Sequence, residues 1–357
     1  MKTVGILTFH HVDNYGAVLQ AYALRKKINS LGDYKAEIIN YIPDKFQYVL
    51  YMETEESIGK LREKRLLFER FLREHCGITK PMLSVVEGNE YDTYCVGSDQ
   101  VWYVQPTGEN PNYFFGNLDE DADRISYAAS VSMNLDMAYS HCDVFKKYIT
   151  KFRSVSVREE EHVDFIKDVC GMDCRCVVDP TLLLGADDYE ELVPKSRDTE
   201  EPFLFFFWLQ HDEELMRGVE FANALSRKYN LNIIHSIPQA GPYVFNNDKG
   251  CMMYDGIEDF LWYIKNASIV VTNSYHATLF SFQFHTPFYI FVVEFMRTRI
   301  DTLAKKYGIE HRVVDRYIAP SQMNENIDWN RIDSCIETGR KQSMEYLEGA
   351  LKSGKKG

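Results

Sequence analysis

Four short segments of this chain carry residue types that can do chemistry, each placed where an apolar run gives way to a helical pattern. The first is Thr8-Phe9-His10-His11-Val12-Asp13-Asn14-Tyr15-Gly16-Ala17. Gly16 would let a ligand approach the backbone, Asn14 is a helix-capping residue, and Tyr15 stands between them. His10, His11 and Asp13 are metal-ligand types, but no third histidine falls at a helical spacing, so a polar loop holding no metal is expected. The second is Gly97-Ser98-Asp99-Gln100-Val101-Trp102. Small Gly97 and Ser98 admit a ligand, and Asp99 and Gln100 can orient hydroxyls. A capped turn with Trp102 in the core accounts for the same spacing.

In the third, Ser154-Val155-Ser156-Val157-Arg158-Glu159-Glu160-Glu161, Arg158 ends a strand pattern just ahead of a helix. Its guanidinium can grip a carboxylate or phosphate through two parallel hydrogen bonds, or it can pair with Glu159 or Glu161 on a solvated face. In the fourth, Val271–Leu279, a strand pattern is followed by Asn273, the helix-capping Ser274, and His276, Ala277 and Thr278 in the first helical turn. A histidine there can donate to an anion or relay a proton, or it can satisfy a buried carbonyl.

These segments need elements to hold them. Short apolar, β-branched or aromatic runs predict strands at Thr3–Phe9, Ala36–Tyr41, Thr93–Val96, Arg124–Ala129, Ser154–Val157 and Arg175–Val178. A second series follows at Phe203–Trp208, Asn232–Ser236, Ile269–Thr272, Phe288–Val293 and Arg312–Val314. Helical patterns fall between them, among them Ala17–Leu31, Met137–Phe152, Glu159–Cys170, His276–Phe284, Thr298–Tyr307 and Asp328–Lys352. Apolar strands alternating with helices predict parallel sheets covered on both faces, so the expected class is α/β with two doubly wound, Rossmann-like domains. The boundaries read as 1–184, 185–325, and a helix and tail over 326–357 that packs back on the first domain. The polar stretch Leu184–Pro202 is the expected linker, and Asp44–Lys60 and Pro238–Tyr254 read as long connections.

Length and composition narrow the function classes. At 357 residues the chain has room for about two domains of ~150 residues. With 45% hydrophobic residues it has a globular composition, and 40 basic against 53 acidic residues give a net charge of −13. Such a chain is unsuited to nucleic acid as its main partner, so an anionic ligand must meet a local positive site. No run is long enough to span a membrane and no secretory cleavage pattern follows the N-terminus, which predicts a cytoplasmic protein. Eight scattered cysteines are expected to be reduced. Cys170, Cys174 and Cys176 lack a fourth ligand nearby and read as small buried side chains. Trp102, Tyr103 and Tyr113 could stack on a sugar, although core packing is the usual role of such residues. No G-x-G-x-x-G follows the first strand, and neither a P-loop nor a G-x-S-x-G elbow is present.

Taken in order, several pieces resemble the polysaccharide pyruvyl transferase family: GILTFHHVDNYGAVLQAYAL (Gly5–Leu24), YDTYCVGSDQVW (Tyr91–Trp102), RISYAASV (Arg124–Val131), SVREEE (Ser156–Glu161), VVDPTLLL (Val177–Leu184), VVTNSYHATLFS (Val270–Ser281) and RTRIDTLAKKYGIEHR (Arg297–Arg312). The resemblance implies two Rossmann-like domains facing a cleft, as in GT-B glycosyltransferases. It implies phosphoenolpyruvate as donor and a sugar or lipid-linked oligosaccharide as acceptor, with peripheral contact to a membrane-bound acceptor, no nucleic-acid partner and no cofactor. The product would be a pyruvate ketal of a cell-surface polysaccharide, with release of phosphate. The family's S-V-R-E arginine and S-F-H-G histidine fall on Arg158 and His276, with Tyr275 and Ala277 in place of the usual Phe and Gly. Asp99 or Asp13 would serve as base. Asn14, Tyr15, Gly16, Gly97, Ser98, Gln100, Asn273, Ser274, Ala277 and Thr278 would line the substrates. The same architecture also suits a glycosyltransferase using a nucleotide sugar, or a glycan- or metabolite-binding protein without activity.

Overall fold

The computed structural model describes residues 1–42, 55–80, 91–104, 113–195, 201–209, 214–237, 244–252, 254–293, 297–315 and 326–353. The chain forms two compact units, one of residues 1–184 with 338–357 and the other of residues 185–337.

Unit 1 is built from β1 (Lys2–Leu7), α1 (Tyr15–Ser30), β2 (Tyr34–Ile38), α2 (Glu55–His75), β3 (Thr93–Val96), β4 (Arg124–Ser126), α3 (Leu135–Ser140), α4 (Cys142–Ile149), β5 (Val155–Val157), α5 (Glu161–Cys170) and β6 (Cys174–Cys176). The strands run parallel in the order β2-β1-β3-β4, and single bridges at Ile125–Ser154 and Ala129–Val157 carry the same direction on to the β5-β6 pair. The order reverses between β1 and β3. In such a sheet ligands bind beyond the C-terminal strand ends at that point. The strands are short and lie inside the unit, as in Thr93-Tyr94-Cys95-Val96, which is buried throughout.

Unit 2 comprises α6 (Ala186–Glu190), β7 (Phe203–Phe207), α7 (Leu215–Tyr229), β8 (Asn232–His235), β9 (Asp248–Cys251), α8 (Ile257–Asn266), β10 (Ile269–Thr272), α9 (Tyr275–Gln283), β11 (Phe288–Phe291), α10 (Arg297–Tyr307) and β12 (Val313–Val314). Its six parallel strands lie in the order β12-β11-β10-β7-β8-β9, the doubly wound arrangement, with its switch point between β7 and β10. A last helix, α11 (Trp329–Lys352), begins in unit 2 and continues in unit 1. No helix among the described residues is long and apolar enough to cross a membrane.

Four readings from sequence need correction. The helical pattern Met137–Phe152 divides at His141 into α3 and α4. Only α4 has a strongly apolar face, burying Phe145, Tyr148 and Ile149, whereas α3 buries only Ala138. The stretch Leu184–Pro202 is not all linker, since Tyr189 of α6 is wholly buried and packs edge-on to Phe280 at 4.9 Å; residues 196–200 lie outside the described residues. Within Pro238–Tyr254, residues 248–251 form the edge strand β9, which is half exposed and so lacks an apolar signature. Of Asp44–Lys60, residues 44–54 lie outside the described residues and Glu55 already starts α2.

Candidate functional site

The loops after β1 and β3 are tied together at the unit 1 switch point. Thr8 Oγ1 donates to the Ser98 carbonyl at 2.9 Å, and Gln20 Nε2 donates to Thr8 Oγ1 at 2.8 Å. Gly97 has φ +115, and a Cβ there would collide with the Tyr127 carbonyl oxygen, so only glycine lets β3 turn this tightly. Asp99 follows in the left-handed region at φ 67. The following strand end supports this turn: Ser98 Oγ donates to the Ala128 carbonyl at 2.9 Å, and the Ser130 N–H donates to the Asp99 carbonyl at 2.8 Å.

Around Arg158 this edge becomes a buried charge network. Arg158 Nη1 lies 2.9 Å from Asp179 Oδ2, Nε 3.5 Å from Glu159 Oε1, and Nη2 3.9 Å from Asp99 Oδ1. The Arg158 side chain is 2% exposed and the Asp99 side chain 15%, so the carboxylate is the more accessible end of the pair. Asp179 and Glu159 have further neighbours. Asp179 Oδ1 accepts from the Thr181 N–H at 3.0 Å and the Thr181 hydroxyl at 2.8 Å. Ser130 Oγ donates to Glu159 Oε1 at 2.5 Å, and His162 Nδ1 lies 3.6 Å from Glu159 Oε2. One guanidinium faces three carboxylates, which makes this edge acidic and suited to ordering hydroxyls. The pairing with Glu159 considered from sequence is present, but in a buried setting and not on a solvated face.

The histidines after β1 are buried as well. His10 reaches the Thr8 carbonyl with Nδ1 and the Asn40 side-chain amide with Nε2, both at 3.0 Å. Burial pushes its proton affinity down, and it pushes that of His11 down to about 3, with His10 and Arg65 adding repulsion. Asp13 is paired with Arg65 at 2.9 Å. Among the described residues no group of three His, Cys, Asp or Glu side chains is placed to hold a metal ion.

In unit 2 the switch point is bridged in a parallel way, by the Leu209 N–H donating to Asn273 Oδ1 at 3.0 Å. The Ser274 N–H donates to Thr272 Oγ1 at 2.9 Å, which turns the chain out of β10. Ser274 Oγ then caps α9 by accepting from the Ala277 N–H at 3.3 Å. His276 therefore sits in the first turn of α9, half-buried, with the half-buried Tyr275 ring edge-on at 5.5 Å. The positive end of the helix dipole lies here.

The residues expected to line substrates divide into two groups. Asp99, Gln100, His276 and Asn14 are partly exposed, Asn14 while capping α1 through Ala17 N–H at 3.2 Å. Ser98, Asn273, Ser274 and Thr278 are buried, with side chains hydrogen-bonded to neighbouring backbone, so they shape the loops and do not present side chains. Tyr15 is buried against Phe68 and lies under the Lys64 ammonium, Gly16 is buried, and the Ala277 methyl faces the core. Trp102 is wholly buried with its indole N–H on the Phe114 carbonyl, and Tyr113 is 7% exposed, so both are core residues; Tyr103 is half-buried. Cys170 and Cys174 are half-buried thiols pushed up to about 11 and about 12 by burial, and Cys176 is half-buried. Sequence reasoning missed Asp179, Glu159 as a buried partner, and Thr181. The Asp-Pro-Thr run was the available signal, an acidic residue at a strand end just before a helical turn.

The model of one family, polysaccharide pyruvyl transferase, matches residues 14–294. No curated protein matches the sequence significantly. Among solved structures, a UDP-N-acetylglucosamine 2-epimerase from Rickettsia bellii is similar with a TM-score of 0.51 at 10% identity, over 98% of this chain and 96% of that one. The UDP-GlcNAc 2-epimerase from Neisseria meningitidis, solved bound to UDP-GlcNAc, gives 0.49 at 9% identity, over 99% and 93%. The glycosyltransferase SnogD from Streptomyces nogalater gives 0.43 at 9%, over 99% and 98%. At such identity the first likeness shows the fold alone, an α/β chain of two GT-B-like Rossmann units.

Proposed function

Since this chain belongs to the polysaccharide pyruvyl transferase family and is a transferase, we propose that it moves the pyruvyl group of phosphoenolpyruvate onto a sugar diol of a polysaccharide or its lipid-linked precursor. The observation that carries the reading is His276, held half-buried in the first turn of the capped helix α9 at the switch point of unit 2. A proton added to the donor's methylene carbon makes the adjoining carbon electrophilic. One sugar hydroxyl attacks that carbon, the second displaces phosphate, and the two hydroxyl protons end on the new methyl group and the departing phosphate. His276 serves the donor, as proton donor or as partner of the leaving phosphate. Asp99 accepts the proton of the sugar hydroxyl. Arg158 acts as a positioning residue, holding Asp99 and Asp179; gripping the donor itself would require one of its three carboxylates to give way.

The test is phosphate release from phosphoenolpyruvate over a panel of sugar diols. His276→Ala is expected to lower turnover by ~10²–10⁴-fold, and Asp99→Asn by a similar factor. Stabilisation against heat by UDP or GDP but not by phosphoenolpyruvate, together with no phosphate release, would replace this reading with nucleotide-sugar transfer.

A further inference from the structure

Arg158 is balanced against Glu159, and Glu159 has a second basic neighbour. His162 lies in the first turn of α5 and is 1% exposed. Its Nε2 is 2.9 Å from the Met133 carbonyl oxygen, and its Nδ1 is 3.6 Å from Glu159 Oε2. The ring also meets Phe165 edge-on, at 6.3 Å and 79°. Among the described residues no charged side chain reaches it from α3 or α4, the helices packed on α5. A carbonyl oxygen only accepts, so Nε2 carries a hydrogen. Nδ1 then faces the carboxylate oxygen with either a second hydrogen or a lone pair aimed at negative charge. The other oxygen, Glu159 Oε1, accepts from Ser130 Oγ at 2.5 Å and lies 3.5 Å from Arg158 Nε, contacts that suit an ionised carboxylate. The shared proton therefore belongs on the imidazole. The N-terminal end of a helix opposes a cation, and Glu161 and Asp164 in the same turn offset that.

We propose that His162 is a positioning residue: as an imidazolium it is the counter-ion of Glu159, and so leaves the Arg158 guanidinium to Asp179 and Asp99. Its effect on turnover rests on the reading of Asp99 as the base. Three carboxylates then meet two cations in one largely buried cluster. Without the charge on His162, Glu159 draws its balance from Arg158. The contact that gives way first is the longest, Arg158 Nη2 to Asp99 Oδ1 at 3.9 Å. Asp99 then loses its place, and a misplaced reacting group costs rate more than binding.

The experiment records nitrogen NMR spectra of the full chain made with isotope-labelled histidine, and His162 is identified by the signal that His162→Gln removes. At the pH of the assay both of its ring nitrogens are expected to carry hydrogen. His162→Gln is expected to lower kcat about 10- to 100-fold, with the KM of donor and acceptor little changed, and to lower the urea midpoint. Adding Glu159→Gln removes the stranded charge, so the double variant should recover part of both losses, which a merely steric role of His162 would not allow. If His162→Gln does not fold, the double variant supplies the NMR identification, and its recovered fold is the rescue. A neutral ring in the spectrum, wild-type kcat in His162→Gln, or a double variant that recovers neither loss overturns the assignment. Recovery of the midpoint without recovery of kcat overturns the positioning role. A wild-type chain that releases no phosphate from phosphoenolpyruvate over any diol defeats the proposed function alone. His162 then stands as counter-ion if the spectrum and the midpoint both agree, and falls if either does not.

Discussion

Single positions here have roles that residue type alone does not reveal. The sequence left Arg158 either to grip an anionic ligand or to pair with Glu159 or Glu161; in the fold its guanidinium meets carboxylates of the chain itself, Asp179 at 2.9 Å being the nearest. Removing one member of a buried ion pair leaves the other uncompensated, which typically costs ~3–5 kcal/mol. The capping residues Asn14 and Ser274 were legible because capping is a local rule that depends on the next three residues. Asp179 and His162 were not legible, because Arg158 lies 21 positions from the one and Met133 29 positions from the other, with only folding to join them. Gly97 gives the clearest test at this scale. Gly97→Ala places a methyl group against the Tyr127 carbonyl at φ +115 and is expected to destabilise unit 1 by about 2 kcal/mol or more, measured as a fall in the urea midpoint. An unchanged midpoint would mean that the β3 turn relaxes easily.

At the scale of elements, the strand-to-helix junction is the recurring device. After β1 the chain buries two histidines so deeply that they are held neutral, and this has a consequence for acid stability. His11 takes its proton at 6.5 when unfolded and at about 3 when folded. The unfolded chain therefore binds the proton first as the pH drops. The stabilisation is complete above about 6.5 and is lost progressively towards about 3. His11→Gln should lose less stability than the wild type between pH 7 and pH 4.5, by an amount on the order of a few kcal/mol, read from urea titrations at the two pH values. Equal losses would assign acid sensitivity to other groups. The strands themselves were legible to within a few residues, since a run such as Phe203-Leu204-Phe205-Phe206-Phe207 can be satisfied only inside a sheet covered on both faces. β9 was not, because an edge strand owes its place to backbone pairing with β8.

For the whole molecule, the return of the C-terminal residues is the main organising fact. The later part of α11 is stitched into unit 1: Tyr346 donates its hydroxyl to the Ser126 carbonyl at 2.8 Å, Ser343 Oγ accepts from the Val178 N–H at 2.9 Å, and Arg340 donates to the carbonyls of Leu182 and Leu184, both at 2.8 Å. Arg153 joins the same surface, pairing with Asp123 at 2.7 Å and reaching the Ala350 carbonyl at 2.6 Å. Deleting residues 338–357 would leave these buried groups without partners. The truncated chain is expected to melt well below the full chain or to be recovered insoluble, as differential scanning calorimetry and solubility would show. A truncated chain with the full chain's melting temperature would mean that unit 1 folds without the helix.

Hydrophobic patterning and local capping were enough to read two parallel α/β series and the junctions where chemistry collects, because each depends on neighbours a few residues apart; the family's motifs were read separately, from their resemblance and order along the chain. The order of strands in each sheet, the three carboxylates around Arg158 and the bond between His162 and the Met133 carbonyl came only with the fold. Contacts of that kind follow from which strand ends the crossovers bring side by side, and that choice is made by burial over the whole unit and not by any short stretch of chain.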